Sequence, residues 1–181
     1  MQPADSPTVF DVGGGSTEII WRDGADMRRV SLDVGSVRLT ERHVRHDPPT
    51  AAELEAVRAD IRAALDALPP PAAPRELVGV AGTVTTLAAV LQELAPYDGA
   101  RVHGSPLTRA DVDGLVERLS ALPLEQRQSL VGLEPKRADV IVAGALIVAE
   151  VMRWANAPRL IASDRGVRWG LALRLARSAK D

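Results

Sequence analysis

The chain of 181 residues contains no cysteine. Its fold therefore uses no disulfide, no thiolate metal site and no cysteine nucleophile. Aromatic residues are scarce, at 3% of the chain, which argues against a surface that stacks the bases of single-stranded nucleic acid. The formal net charge is only −2, so the chain as a whole does not attract nucleic acid or an anionic membrane. A polyanion would have to be bound at a local site.

Long apolar segments are also missing. The longest, residues 140–151, is too short to cross a bilayer and has charged residues at its edges. Residues 1–5 lack the basic and apolar stretches of a signal peptide, so we expect a cytoplasmic protein without membrane contact. What is present, 46% apolar and 25% charged residues, is typical of a folded globular domain. We predict a single domain over residues 1–181.

Hydrophobic spacing predicts a domain built from both strands and helices. Strands are predicted at residues 8–12, 17–21, 27–34, 77–81 and 159–162. Helices are predicted at residues 36–44, 51–68, 82–94, 108–121, 124–130, 136–154 and 167–177. Thr50 and Thr108 are expected to cap two of these helices, and Asp23-Gly24 is a hairpin turn signal between the second and third strands.

The order of these elements indicates the fold class. Three meandering strands, followed by two strands with helical crossovers, predict an α/β fold with a mixed five-stranded sheet covered by helices. This is the ribonuclease-H-like arrangement. The proline-rich segment at residues 69–74 is the one linker-like stretch, and it serves either as a loop or as a domain boundary.

The strongest chemical signal is a glycine-rich loop between the first two predicted strands. Three successive glycines let the backbone turn sharply and present several N–H groups toward one anion, and the two hydroxyl residues that follow add donors. We predict phosphate binding by this loop. Its residues are Gly13, Gly14, Gly15, Ser16 and Thr17.

Two carboxylates, Asp11 and Glu18, bracket this loop. Carboxylates beside a phosphate are what a hydrated divalent cation requires, so we interpret this pair as candidate metal ligands. The alternative is a plain glycine-rich hairpin with an ordinary aspartate and a glutamate that faces solvent.

A second signal lies at residues 79–86, where an apolar strand leads through Gly82 and Thr83 into a predicted helix. Free N–H groups and the dipole at a helix N-terminus favour an anion, so we predict a second phosphate contact there. The alternative is simple helix capping with tight helix–strand packing. Neither segment is a P-loop, because no Gly-Lys-Ser/Thr follows the glycines, and neither has the spacing of a dinucleotide fingerprint.

These two segments, with VGSVRLTE at residues 34–41 and SDRGVR at 163–168, resemble the second domain of the exopolyphosphatase / guanosine pentaphosphate phosphatase (Ppx/GppA) family. The resemblance extends from about residue 8 to about residue 175. It implies the fold of the actin-like ATPase superfamily, in which two ribonuclease-H-like domains close over phosphates. It also implies that Asp11 and Glu18 position Mg²⁺ for catalysis, while the glycine N–H groups and Ser16 hold terminal phosphates.

Arg38 and Arg168 lie inside the matched segments and are our candidates for further positive charge on a phosphate chain. For each of them, a surface ion pair is the alternative interpretation.

The sequence departs from the family pattern at its start. Family members begin with a first domain that carries another phosphate loop and a glutamate that activates water, whereas only seven residues precede Thr8. We therefore expect the first domain to be a missing partner and the catalytic base to lie outside this chain. Residues 33–36, DVGS, look like a fragment of that other loop, but Val37-Arg38 stands where the family has Asn-Ser. We interpret them as a connection after the third strand.

The resemblance implies a magnesium-dependent phosphohydrolase that cleaves terminal phosphoanhydrides of inorganic polyphosphate or guanosine pentaphosphate, with this chain inactive by itself. Two alternatives stay open. One is a non-catalytic module that binds polyphosphate or guanosine tetraphosphate, or that merely forms a homodimer. The other is half of an actin-like kinase or chaperone-type ATPase, in which the turn at Gly82 and Thr83 would cradle an adenosine nucleotide.

Overall fold

The computed structural model describes residues 7–69, 76–166, 169–170, 172 and 175. Six strands form one mixed sheet in the order β3-β2-β1-β4-β6-β5. The strands are β1 (Thr8–Val12), β2 (Thr17–Asp23), β3 (Asp26–Leu32), β4 (Leu77–Val80), β5 (Pro106–Thr108) and β6 (Arg159–Ser163). Strands β1, β2 and β3 are an antiparallel meander, whereas β1, β4 and β6 run parallel to one another.

Seven α-helices that are described without gaps accompany this sheet. They are α1 (Ser36–His43), α2 (Ala51–Asp66), α3 (Ala81–Leu91), α4 (Gly99–Val102), α5 (Arg109–Ala121), α6 (Leu124–Gln128) and α7 (Ile141–Trp154), with a short 3₁₀ helix at Pro135–Arg137. The mixed sheet with covering helices confirms the predicted fold class. The predicted helix at 167–177 and the proline-rich segment at 69–74 lie mostly outside the described residues.

The predicted count of five strands is wrong, because β5 is a sixth strand. It has three residues, begins with Pro106 and pairs antiparallel with β6 at the edge of the sheet. A proline cannot donate a ladder hydrogen bond, and three residues are too few to show an alternating pattern. The four-residue helix α4 gave no periodic signal for the same reason.

The local signals at the ends of elements are confirmed. Thr50 and Thr108 each accept a hydrogen bond from the backbone N–H three residues later, and both form complete capping boxes. Gly24 occupies the β2–β3 turn with φ +62, a left-handed conformation that glycine adopts without the steric cost of a Cβ.

Helix α7 lies at the centre of the core. Its residues from Ile141 through Met152 are all buried, and it packs against α1, α2, α3 and α5. A helix that is apolar on every side is stable only when other elements surround it. Its one buried acid, Glu150, accepts hydrogen bonds from Arg58, Arg62 and Arg153, which ties α2 to α7. Within the described residues, none of the helices combines the length and apolarity that a membrane crossing requires.

Side chains in the meander alternate between the two faces of the sheet. In β1, Phe10 and Val12 are buried, while Asp11 between them points to the opposite face and is half-buried. The register places Asp11 directly opposite Glu18 on β2, and Glu18 opposite Ser31 on β3. A row of polar side chains therefore crosses three strands on the face opposite Phe10.

Candidate functional site

Three sequence segments meet at one edge of the sheet. The register aligns Asp11 of β1 with Val80 of β4, and Val80 with Ser163 of β6, so these three parallel strands end side by side. The glycine loop follows β1, the Gly82 turn follows β4, and the SDRG segment follows β6. In open α/β sheets, ligands bind in the crevice outside the carboxyl ends of parallel strands. The fold thus brings together the segments that sequence analysis had singled out separately.

The carbonyl groups of the glycine loop are bound by the start of α1. Ser36 N–H donates to Gly13 O at 3.0 Å, Val37 and Arg38 N–H donate to Gly14 O at 2.9 and 3.0 Å, and Arg38 Nε donates to Gly15 O at 2.7 Å. These bonds fix the peptide planes of the loop. Because a carbonyl and the N–H of the same peptide point in opposite directions, the N–H groups that follow are directed away from α1.

The backbone N–H groups of the loop remain available to a ligand. Gly13 N–H donates to Ser16 O at 2.9 Å and closes the turn. In the part of the chain that the structure describes, the N–H groups of Gly14, Gly15 and Ser16 donate to no protein acceptor. Gly14 and Gly15 are exposed to solvent. Successive free N–H groups in such a turn form a concave anion site.

The carboxylates beside the loop repel each other. Asp11 and Glu18 are direct cross-strand neighbours, and burial together with the negative charge of Glu18 raises the pKa of Asp11 above its ordinary value. Glu18 accepts hydrogen bonds from Ser16 Oγ at 2.7 Å and from Ser31 Oγ at 2.8 Å. A divalent cation between the carboxylates would relieve the repulsion.

The donor set fits a magnesium ion that shares its coordination shell. Among the described residues, no group of three or more His, Cys, Asp or Glu side chains could hold a metal by itself. Magnesium is usually bound by one or two carboxylates plus substrate phosphates and water, rather than by a complete protein cage. Asp11 and Glu18 beside the free N–H groups match that pattern.

Replacing Asp11 with asparagine should stabilise the ligand-free fold at neutral pH by about 0.2–1 kcal/mol, the size of a like-charge cross-strand contact. Since the pKa of Asp11 is raised, the folded chain holds this proton to a higher pH than the unfolded chain does, and stability falls as pH rises through that pKa. The advantage of the asparagine variant should therefore be small near about pH 3 and grow toward neutral pH.

Thermal unfolding of both proteins across this pH range measures the effect. Glu117→Gln serves as the control, because it removes a charge from an exposed helix position whose carboxylate has no partner in the described structure. An asparagine variant less stable than wild type at every pH would show instead that Asp11 supports the fold.

The Gly82 turn is held close to the glycine loop. Thr83 Oγ1 donates to Val12 O at 3.1 Å, just before the glycine loop, and Gly144 of α7 leaves room for the Thr83 methyl group. Ala81 has φ +64, a left-handed backbone that strains a residue with a Cβ. The Arg137 guanidinium lies over Gly82, since a Cβ there would be 2.7 Å from Arg137 Cζ. A cation therefore already covers the first turn of α3.

All three predicted phosphate ligands that carry a hydroxyl group donate its proton within the protein, and for Ser16 the acceptor is Glu18 Oε1 at 2.7 Å. Thr17 is fully buried and its Oγ1 donates to Val34 O at 2.6 Å, while Thr83 Oγ1 donates to Val12 O. Both threonines join the loops to their supporting elements, and neither hydroxyl is free to donate to a ligand. Sequence patterns cannot separate these roles, since a hydroxyl near a glycine turn suits either one.

Of the two arginines predicted to contact phosphate, the structure describes Arg38. Arg38 lies beside the loop, with Nε bonded to Gly15 O and Nη2 3.5 Å from Asp33, and its side chain is 42% exposed. It is thus a loop support that keeps part of its guanidinium accessible. Arg168 lies outside the described residues.

Gly35 is a residue that sequence analysis missed. It precedes α1 in an ordinary extended conformation, so its backbone does not require glycine. Glycine is required there by the available space, because an added Cβ would be 2.5 Å from Ser16 N and closer still to Gly14 O and Gly15 C. The DVGS segment is therefore not a second active loop but the surface on which the glycine loop rests. A glycine at a strand–helix junction was the available signal.

The profile of the Ppx/GppA phosphatase family matches residues 1–179 of this chain. Exopolyphosphatase 2 of Mycobacterium tuberculosis is 39% identical over 175 residues, which cover 93% of this chain and 55% of that protein. A bifunctional 3-dehydroquinate synthase/phosphatase of Fusobacterium nucleatum is 31% identical over 93% of this chain and 26% of its own length.

Solved structures are also similar to this chain. The crystal structure of the Aquifex aeolicus member of the Ppx/GppA family superposes with a TM-score of 0.87 at 34% identity, over 96% of this chain and 57% of that chain. An exopolyphosphatase from Cytophaga hutchinsonii, at 22% identity and a TM-score of 0.77, shares the fold. The chain spans about half the length of the exopolyphosphatases it matches.

Proposed function

The chain belongs to the Ppx/GppA phosphatase family, and on that premise we propose that it is the phosphate-binding part of a phosphohydrolase acting on terminal phosphoanhydride bonds. Inorganic polyphosphate and guanosine pentaphosphate are the proposed substrates. The proposal rests on one observation. The N–H groups of Gly14, Gly15 and Ser16 are free within the described chain, while the loop carbonyl groups accept hydrogen bonds from backbone N–H groups of α1 and from the Arg38 side chain. A loop whose donors face outward is built for an anion.

Each residue has a defined part in this proposal. The three free N–H groups would bind oxygens of the terminal phosphate, and Arg38 would add positive charge at the rim of the loop. Asp11 and Glu18 would hold Mg²⁺, which when bound supplies neutralising charge to the transferring phosphoryl group. Ser16 and Ser31 would orient Glu18 through their hydrogen bonds to its carboxylate. Thr17 and Thr83 would keep the loops in place.

A water molecule that attacks phosphorus also needs a base. Within the described chain, Asp11 and Glu18 flank the loop and are both assigned to the metal in this proposal, and Asp33 beside it lies 3.5 Å from Arg38 Nη2. We therefore propose that the base, and a second set of phosphate contacts, come from a partner domain that closes over this sheet edge. Closure would exclude water and strengthen each electrostatic contact.

Gly15→Ala tests whether the loop is shaped for a ligand rather than for the fold. An added Cβ would meet only Arg38 Nη2, at 3.8 Å, and the backbone there is not left-handed. Stability should therefore stay unchanged or rise by about 0.4–1 kcal/mol, because alanine restricts the unfolded chain. Pyrophosphate binding in the presence of Mg²⁺ should weaken by about tenfold or more, because the Cβ crowds the approach that glycine leaves open.

Calorimetric titration with pyrophosphate and thermal unfolding give the two readouts. Gly114→Ala is the matched control, since an added Cβ there meets nothing within 4 Å and the residue lies in α5, away from the loop. Equal pyrophosphate affinity of the Gly15→Ala variant and wild type would remove the loop from the binding site.

A further inference from the structure

The Arg38 guanidinium lies at the mouth of the glycine loop. Its Nε donates to Gly15 O at 2.7 Å, and a Cβ added to Gly15 would be 3.8 Å from its Nη2. Gly15 is exposed, and its N–H group is free in the described chain. An anion in the loop would therefore lie near the outer nitrogens of Arg38. The side chain can support the loop through Nε and still offer its charge to a ligand.

In this structure, one of those outer nitrogens is paired with Asp33. Arg38 Nη2 lies 3.5 Å from Asp33 Oδ1, and the Asp33 side chain is 92% exposed. Its carboxylate has no other partner in the part of the chain that the structure describes. An ion pair this exposed contributes little to the fold, because water screens the two charges. The pair can therefore be exchanged for another at little cost.

Asp33 comes directly after β3 and lies beside the loop. The β2–β3 register pairs Leu32 with Thr17, and the next position along this antiparallel ladder sets Asp33 beside Ser16. Asp33 is thus a third carboxylate around the loop, after the two that are assigned to the metal. Its partner is the loop arginine rather than a cation from solution.

A bound phosphate and Asp33 require the same guanidinium. Arginine forms charge-assisted hydrogen bonds with phosphate as well as with carboxylate. When a ligand takes the outer nitrogens of Arg38, Asp33 loses its cation and faces another negative charge. Phosphate binding has to offset this loss. The affinity of the loop is therefore lower than its free N–H groups and Arg38 would give without Asp33.

We propose that Asp33 sets the phosphate affinity of the glycine loop by competing with the ligand for Arg38. The inference rests on the proposed function, because the loop must bind phosphate. It joins the two interpretations of Arg38 that the sequence left open, since the surface ion pair is exchanged for the phosphate contact. Moderate affinity suits a hydrolase, because binding substrate and product more tightly alike does not speed the chemical step.

Asp33→Asn tests the competition, because it removes the charge and keeps the shape of the side chain. In a calorimetric titration with pyrophosphate and Mg²⁺, this variant should bind about 2- to 5-fold more tightly than wild type, the fold-change that corresponds to one exposed ion pair. Thermal unfolding should change little, since the pair is exposed.

Asp23→Asn is the matched control. Asp23 forms an exposed pair of the same kind, 3.4 Å from Arg28 Nε, at the β2–β3 turn, which is the end of the hairpin away from the loop. Its replacement changes the net charge by the same amount and should leave pyrophosphate affinity unchanged. An equal gain in both variants would show an effect of overall charge and would overturn the inference.

Arg38→Gln separates competition from plain repulsion. This variant should bind pyrophosphate less tightly than wild type, and adding Asp33→Asn to it should give no further gain, because no guanidinium is left to compete for. Thermal unfolding of each variant checks that the fold is intact. A gain from Asp33→Asn that is the same with and without Arg38 would show that Asp33 only repels the ligand, and the competition would be rejected.

Two further outcomes decide between the inference and the proposed function. If wild type binds pyrophosphate and Asp33→Asn binds it equally or less tightly, the inference fails and the phosphate loop stands. If neither wild type nor Asp33→Asn binds millimolar pyrophosphate, the inference fails together with the proposed function.

Discussion

Gly35→Ala is expected to abolish phosphate binding and to lower the free energy of unfolding by about 1–3 kcal/mol. The added Cβ would overlap backbone atoms of Gly14, Gly15 and Ser16, and backbone cannot swing aside as the end of a side chain can. The loop must move away from α1. It would then lose the bonds from Ser36 and Val37 that orient its peptide groups.

Thermal unfolding and calorimetry with pyrophosphate and Mg²⁺ measure both effects. Gly114→Ala controls for the change from glycine to alanine, and as a helix-interior replacement it should be neutral or stabilising by up to about 1 kcal/mol. The three variants form a series: Gly15 is assigned to ligand binding, Gly35 to the support of the loop, and Gly114 to neither. A Gly35→Ala protein that binds pyrophosphate like wild type would contradict the assigned role.

The second large effect concerns catalysis. The chain alone is expected to release no measurable phosphate from tripolyphosphate or guanosine pentaphosphate. Assistance by a general base is worth about 10²–10⁴-fold, and positioning between two sets of phosphate contacts contributes at least as much. Glu18 is a poor candidate for the base, because it accepts hydrogen bonds from Ser16 and Ser31 and is assigned to the metal.

Phosphate release is measured with Mg²⁺, first with the chain alone and then after mixing with a first domain of this family. Recovery of turnover in the mixture would support a base supplied from outside. Turnover by the chain alone that Glu18→Gln abolishes, and that the exposed control Glu117→Gln leaves intact, would place the base in this chain.

The fold was predictable wherever elements are long or have marked ends. The capping boxes at Thr50 and Thr108 and the turn at Gly24 depend on neighbouring residues alone, and local sequence therefore shows them. Strand β5 depends on its pairing with β6, some fifty positions away by residue number, and three residues of its own carry no pattern. Its existence is a consequence of tertiary structure.

The glycine loop and its flanking carboxylates are visible in the sequence as a candidate anion site, whereas the residues that support the loop are not. Three adjacent glycines with flanking carboxylates indicate an anion loop without any knowledge of the fold. The contact of Gly35 with that loop, and the placement of Arg137 over Gly82, join residues far apart in the chain. The hydrogen bond from Tyr97 to Asp164 also joins residues far apart in the chain. Such contacts are set by the packing of whole elements, which local composition does not encode.

The most direct test of the central claim is a calorimetric titration of the wild-type chain with pyrophosphate, with Mg²⁺ and then with a metal chelator. The claim is that the free N–H groups of the glycine loop and the Asp11–Glu18 pair together form one phosphate and metal site. It predicts measurable binding that strengthens by about tenfold or more with Mg²⁺, and an Asp11→Asn variant that loses this gain while keeping its fold. Absence of binding at millimolar pyrophosphate, with or without Mg²⁺, would contradict it.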